Sequence, residues 1–214
     1  MTSWSDVTLL VAVALLLLLW LVWVFANRLD RLHRKVATSR SVLENQLVRR
    51  ASAAAELASS GLLDPVSSVL VGEAAWAALS AGGHGRAELV AALPDLDRML
   101  GPDLSVARAG APVERDLAES ELSRTIREAL ADDDEVAALE GAPGGAELVE
   151  ALAAAWYRVQ LARRFHNEAV AQARRVRHNL VVRSLRLAGH APLPQMVEID
   201  DDWPEALRRV AQAA

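Results

Sequence analysis

Cysteine is missing from all 214 residues, which removes disulfides, thiolate nucleophiles and cysteine-ligated metals together. The absence suits a reducing compartment without establishing one. Aromatic residues are scarce at 4% although apolar residues reach 52%, so the apolar content rests on alanine, leucine and valine. These side chains fit helices, and an all-α bundle is expected rather than a sheet-rich core. An excess of positive charge is lacking too: 23 Lys and Arg face 28 Asp and Glu, a formal net charge of −5, which argues against nucleic acid as a general partner.

Catalytic patterns are also missing. The five histidines form no His-Glu-x-x-His and no Glu-x-x-His pair, so neither a zinc site nor a di-iron centre is expected. The serine clusters carry no Gly-x-Ser-x-Gly elbow or Ser-x-x-Lys pair. The glycine pairs at 82–83 and 144–145 lack a Walker lysine. No enzymatic activity, cofactor or metal is expected.

What is present begins with VTLLVAVALLLLLWLVWVFA at 7–26, twenty residues without a charge or a proline. As a helix it runs about 30 Å, the hydrocarbon thickness of a bilayer. The preceding residues 1–6 carry no basic n-region, so the segment reads as a signal anchor rather than a cleaved peptide. Trp4, Trp20 and Trp23 lie near its ends, where indole rings favour the interface. Basic residues follow the span and none precedes it, which puts the N-terminus outside and the C-terminal part in the cytoplasm of a single-pass plasma-membrane protein.

From Asn27 to Ser59 there is no glycine or proline, and Leu29, Leu32, Val36, Ser39, Leu43, Leu47, Arg50, Ala54 and Leu57 recur at steps of three and four. One helix is therefore expected to run from the anchor to Ser59. Asp64 caps a second, with Pro65 at its first position and Val66, Val69, Leu70, Glu73, Ala74, Trp76 and Leu79 carrying it to about Ala81. Residues 86–112 stay open: AELVAALPDLDRML reads as helical and GPDLSVARAGAP as a connection. Pro112 opens a third helix with Leu117, Leu122, Ile126 and Leu130 on one side, ending near the acidic run at 132–135.

After GAPGG the clearest stripe in the chain runs Leu148, Leu152, Ala155, Val159, Ala162, His166, Ala169, Ala173, Val176, Leu180. The pattern predicts an antiparallel up-down four-helix-type bundle over 27–187 with long first and last helices. Residues 188–214 form a tail with a short helix capped at Asp202 or Trp203.

Two segments resemble the LemA family. ANRLDRLHRKVATSRSVLENQLVRR at 26–50 is similar to that family's Asn-x-Leu entry and Ser-x-Ile-Asp-x-Gln-Leu-x-Arg-Arg motif, matching at Asn27, Leu29, Val36, Ser41, Leu43, Glu44, Gln46, Leu47, Arg49 and Arg50. ARRFHNEAV at 162–170 is similar to its Ala-Arg-x-x-Tyr-Asn-x-x-Val, matching at Ala162, Arg163, Asn167 and Val170, with His166 where tyrosine is usual. No proline follows Arg50, the aromatic partners around Arg40 and Ala173 are missing, and the middle of the chain diverges. The resemblance implies a membrane-anchored helical bundle without established enzymatic activity.

Candidate sites follow from position and charge. Arg28, Arg31, Arg34 and Lys35 follow the span, and Arg174, Arg175 and Arg177 lie on a long helix that returns toward it. Two readings stand for these cations: contact with anionic headgroups at about 1 kcal/mol each, or a solvated basic face. Arg49 and Arg50 lie about 30 Å beyond the bilayer, past a Debye length, so lipid contact is not their role. Arg50 falls on the apolar stripe and needs to snorkel or to pair with Glu119 or Glu121. Arg49, beside it, faces outward. With Glu44, Gln46, Arg163, His166 and Asn167 these two arginines form the interaction or bundle-locking set. His166 reads as a hydrogen-bonded core or boundary histidine, with Arg163 and Asn167 near enough in sequence to supply polar partners, or as a ligand or switch. His33, His84 and His190 read as exposed.

The function expected is a membrane scaffold or adaptor with a protein partner. A regulatory or sensor module for a membrane enzyme, such as a protease, is the alternative.

Overall fold

The computed structural model describes residues 4–82, 112–185 and 192–213. These residues are mostly helical and contain no strand: α1 is Trp4–Ser59, α2 Pro65–Ala81, α3 Pro112–Ala129, α4 Asp133–Gly141, α5 Gly145–Arg177, α6 Leu180–Ser184 and α7 Glu205–Ala213. The open readings within 86–111, together with His84 and His190, lie outside the described residues. The chain divides into two compact units, Met1–Arg40 with Phe165–Met196 and Ser41–Arg164 with Val197–Ala214. Helices α1 and α5 contribute to both.

The first unit holds the start of α1. Near the N-terminus this helix is long and apolar enough to cross a membrane, and none of its apolar window is buried against the chain. A core helix of a soluble protein would have that surface covered, because about 25 cal/mol is lost per Å² of apolar area left in water. Further on, Leu29 is buried, as are Ala169, Val170 and Ala173 of α5 and Val182 of α6. Lys35 Nζ donates to Gln172 Oε1 at 3.2 Å. The α5 stripe does not continue unbroken to Leu180. The helix stops at Arg177, Asn179 N bonds Val176 O at 3.1 Å, and α6 follows. Asparagine suits such a turn, because its side chain competes with the backbone for hydrogen bonds.

The second unit is built around one large apolar cluster. Ala51, Ala54 and Leu57 of α1 meet Ala74, Ala75 and Ala78 of α2, Leu122 and Ile126 of α3 with Leu130 just beyond its end, Leu139 of α4, Leu152 and Trp156 of α5, and Leu207 of α7. The many alanines let helix backbones approach closely, which is how a chain poor in aromatics fills its interior. Leu43, Leu47, Val159, Ala162, Val197 and Ile199 form a second cluster.

Helix ends follow local chemistry. The Asp64 carboxylate accepts from Val66 N at 2.9 Å and Ser67 N at 3.2 Å, with Pro65 at the first position. The Ser67 hydroxyl and amide beside it hold the Asp64 carboxyl below its ordinary value. The last two glycines of GAPGG do different work. Gly144 takes φ +78, and at Gly145 a Cβ would lie 1.8 Å from Leu139 O.

Several sequence readings are corrected. The buried face of α2 is Val71, Ala74, Ala75 and Ala78, while Val66, Val69, Leu70 and Trp76 are exposed, Trp76 to 69%. On α3, Leu117 is 65% exposed. Standing five positions before Leu122, it lies about 140° round the helix from it. The inward face runs instead through Arg115, Glu119, Leu122, Ser123, Ile126 and Leu130. The acidic run at 132–135 starts a helix: Asp132 accepts from Asp134 N at 2.8 Å, and the acidic first turn of α4 complements the helix dipole. The tail helix begins at Glu205, with Arg208 N bonding Pro204 O at 3.1 Å, so Pro204 rather than Asp202 or Trp203 supplies the capping carbonyl.

Candidate functional site

In the second unit the helical periodicity of α1 carries Arg50 inward between Leu47 and Ala54, and its side chain is 0% exposed. An unpaired guanidinium there would be prohibitively costly, and the neighbouring helices supply its partners. Nη1 donates to Ser123 Oγ at 2.9 Å; Nη2 donates to Glu119 Oε2 at 2.9 Å and to Glu119 O at 3.0 Å. The guanidinium carbon lies 4.8 Å from the ring centroid of Trp156, within cation–π range. Glu119 is therefore the carboxylate that meets Arg50; Glu121 pairs with Arg124 on the surface, and that guanidinium holds the Glu121 carboxyl below its usual range.

The charge alternates further along. Arg115 Nη2 lies 3.8 Å from Glu119 Oε1 and Arg115 Nη1 lies 4.0 Å from Glu44 Oε2, so two guanidinium groups and two carboxylates run in sequence from Glu44 to Arg50. Arg50 and Arg115 are thus each set against a carboxylate. Gln46 is half-buried, and its Oε1 has no hydrogen-bond partner among the described residues. Arg49 is exposed.

A second constellation holds the segment before α7. Arg163 grips Asp201 with two 2.8 Å bonds, Nε to Oδ2 and Nη2 to Oδ1. The Asp201 carbonyl accepts from Trp156 Nε1 at 3.0 Å and Gln160 Nε2 at 2.7 Å, and Gln160 Oε1 accepts from Trp203 Nε1 at 2.6 Å. Arg127 chelates the neighbouring Asp200, with Nη1 to Oδ1 at 3.0 Å and Nη2 to Oδ2. This guanidinium holds the Asp200 carboxyl below its ordinary value, and the carboxylate in turn raises Arg127.

In the first unit His166 is buried, and its Nδ1 lies 3.1 Å from Ser39 Oγ. Ser39 faces the imidazole, and Arg163 bonds Asp201. Asn167 is half-buried beside it. His33, read as exposed, is half-buried with Nε2 enclosed. Of the basic candidates, Arg28 and Arg31 are exposed, and Arg34 pairs with Asp30 one turn away. Trp23, Val24, Asn27, Arg31 and Arg34 line a shallow groove on α1. Arg174 Nε donates to Pro194 O at 2.8 Å and Arg177 Nη1 to Pro192 O at 2.7 Å, so these two serve a backbone. Arg175 is exposed, with Nε 3.4 Å from Ala171 O.

Sequence reasoning missed Arg115, Ser123, Trp156, Gln160 and Trp203. A signal existed for two of them: Arg115 and Ser123 stand four residues to either side of Glu119, a buried stripe written in polar residues. Chemically the arrangement fixes donors and acceptors in place. Arg50 is fully buried and Glu119 is enclosed between two guanidinium groups, so neither presents a reacting group to solvent. Among the described residues no three His, Asp or Glu side chains converge as a metal site. Comparison with protein-family models, curated proteins and solved structures returns no match.

Proposed function

We propose that the chain is a single-pass membrane protein whose helical part is a cytoplasmic scaffold or adaptor. The observation that carries this reading is the apolar window of α1, exposed along its length at a bilayer's thickness and continuous with a helix whose far end is buried. The helical part is read as an antiparallel up-down bundle of LemA-like kinship. Support comes from the pairing of Lys35 with Gln172 and Ser39 with His166, in which α1 positions rise as α5 positions fall. The motif residues Arg50 and Arg163 both serve as buried or half-buried locks, which suits a scaffold.

Orientation rests on the basic residues after the span, with Arg28, Arg31 and Arg175 facing anionic headgroups. Reporters fused at both ends test it: a C-terminus found outside overturns the cytoplasmic assignment. Crosslinking in membranes with mass spectrometry tests the adaptor role, and recovery of only lipid and self contacts counts against it.

A regulatory role toward a membrane enzyme such as a protease is the second reading, favoured by the uninterrupted course of α1 from Trp4 to Ser59. A transmitting helix loses function when a flexible Gly-Ser insertion separates Asn27 from Arg28, whereas an adaptor tolerates it.

A further inference from the structure

Residues 197–203 lie in an irregular stretch whose side chains alternate: Val197, Ile199 and Asp201 are buried, while Glu198 and Asp202 face outward. A period of two marks an extended peptide with one face seated, as when a segment docks into a groove. Among the described residues, 198–203 make no backbone-to-backbone hydrogen bond. Side chains read that backbone instead. Glu198 N donates to Asp116 Oδ2 at 3.3 Å and Asp200 N to Ser120 Oγ at 3.0 Å; the Asp201 carbonyl takes Trp156 and Gln160, and the Asp202 carbonyl takes Arg127 at 3.2 Å. Val197 and Ile199 close over Leu43, Leu47, Val159 and Ala162. Arg127 and Arg163 receive the two adjacent carboxylates.

Apolar seats, side chains that fix the register and two arginines for two carboxylates are the parts of a peptide-recognition groove. We propose that this groove on α1, α3 and α5 is a docking site for a segment of a partner protein with the pattern apolar-x-apolar-Asp-Asp-x-Trp, followed by an amphipathic helix. Residues 197–213 are its resident occupant, which the partner displaces. The helix belongs to the pattern because Ala206 and Leu207 of α7 are seated in the main core. Selectivity comes from Arg163: an occupant without the second acid leaves this half-buried guanidinium without its carboxylate. The proposal rests on the adaptor reading and adds the kind of partner.

The experiment uses the full chain in detergent micelles and a fluorescent peptide of residues 195–213. In the wild type the tethered segment competes at millimolar effective concentration, so added peptide binds weakly. Asp201→Arg sets the resident segment against Arg163 and opens the groove. The expected result is at least tenfold tighter peptide binding than wild type. In Arg163→Asp/Asp201→Arg the swapped pair closes again, and binding returns to the wild-type level. An Asp201→Arg chain that keeps its helix content and gains no peptide affinity overturns the proposal. Loss of helix content does so too, because the segment is then an integral part of the core.

A wild-type chain carrying a protease site between Gly189 and His190 gives a second reading after cleavage. Exchange of its own fragment for labelled peptide supports the groove, and retention without exchange overturns it. If peptide exchanges while membrane crosslinking finds only lipid and self contacts, the adaptor reading fails and the groove stands. Partners recovered by a chain that exchanges no peptide sink the groove alone.

Discussion

Arg50 shows how a residue that violates hydrophobic patterning becomes a structural determinant. Its Nη1 and Nη2 are held by Ser123 and Glu119 and the Trp156 ring lies against the guanidinium, so removing one member is costlier than removing the pair. Arg50→Met strands the Glu119 carboxylate and is expected to cost about 3–5 kcal/mol, whereas Arg50→Met/Glu119→Leu recovers most of the loss. Denaturant unfolding of the detergent-solubilised chain measures both, and a single-variant loss below about 1 kcal/mol would contradict the lock.

Asp200 tests electrostatics on a half-exposed pair. Because Arg127 lowers the folded-state value of this carboxyl from an ordinary 3.8, the pairing adds stability above that value and loses it as pH falls through the lower folded value. Asp200→Asn should therefore cost about 0.5–1 kcal/mol near neutrality, with the difference from wild type shrinking below about pH 4. A difference that grows on acidification would show that the assigned partner is wrong.

At the scale of the element, periodicity predicts where helices lie better than which way they face. Helix α2 is apolar on nearly every side, from Val66 and Val69 through Val71, Ala74 and Trp76, so no stripe distinguishes its inner face. On α3 the face is marked by polar residues, which hydropathy discounts. Leu122→Ala should cost about 2–5 kcal/mol, while Leu117→Lys should change stability by less than about 0.5 kcal/mol. Thermal melts of the two variants decide this, and equal losses would place Leu117 inside.

The connections allow a similar contrast. A Cβ at Gly61 meets nothing within 4 Å but sits at φ +74, so Gly61→Ala should cost about 1 kcal/mol of backbone strain. Gly145→Ala drives its Cβ into Leu139 O, and a loss above about 2 kcal/mol is expected in the same assay.

For the whole molecule, the exposed apolar window of α1 dominates solution behaviour. If these nineteen apolar residues and Thr8 cross a bilayer as proposed, the full chain should stay with it through alkaline carbonate extraction. A variant lacking residues 7–26 should be released. Release of the full chain would show that the span does not cross the membrane.

Local order was written in the sequence. The continuity of α1 to Ser59, the Asp64 cap with Pro65, the break at GAPGG and the apolar span each depend on neighbours within a few residues, and short-range chemistry suffices to read them. The segment SVLENQLVRR belongs here too: its register alone turned Arg50 inward, left Arg49 outside and required an acid opposite. Which acid answered, and that Trp156, Ser123 and Arg115 joined it, was settled by helices about seventy to a hundred residues away, through distances that no local pattern contains. The same holds for Asp200 and Asp201, whose arginines come from α3 and α5. A buried charge obliges a partner to exist, and only the packing of the chain selects it.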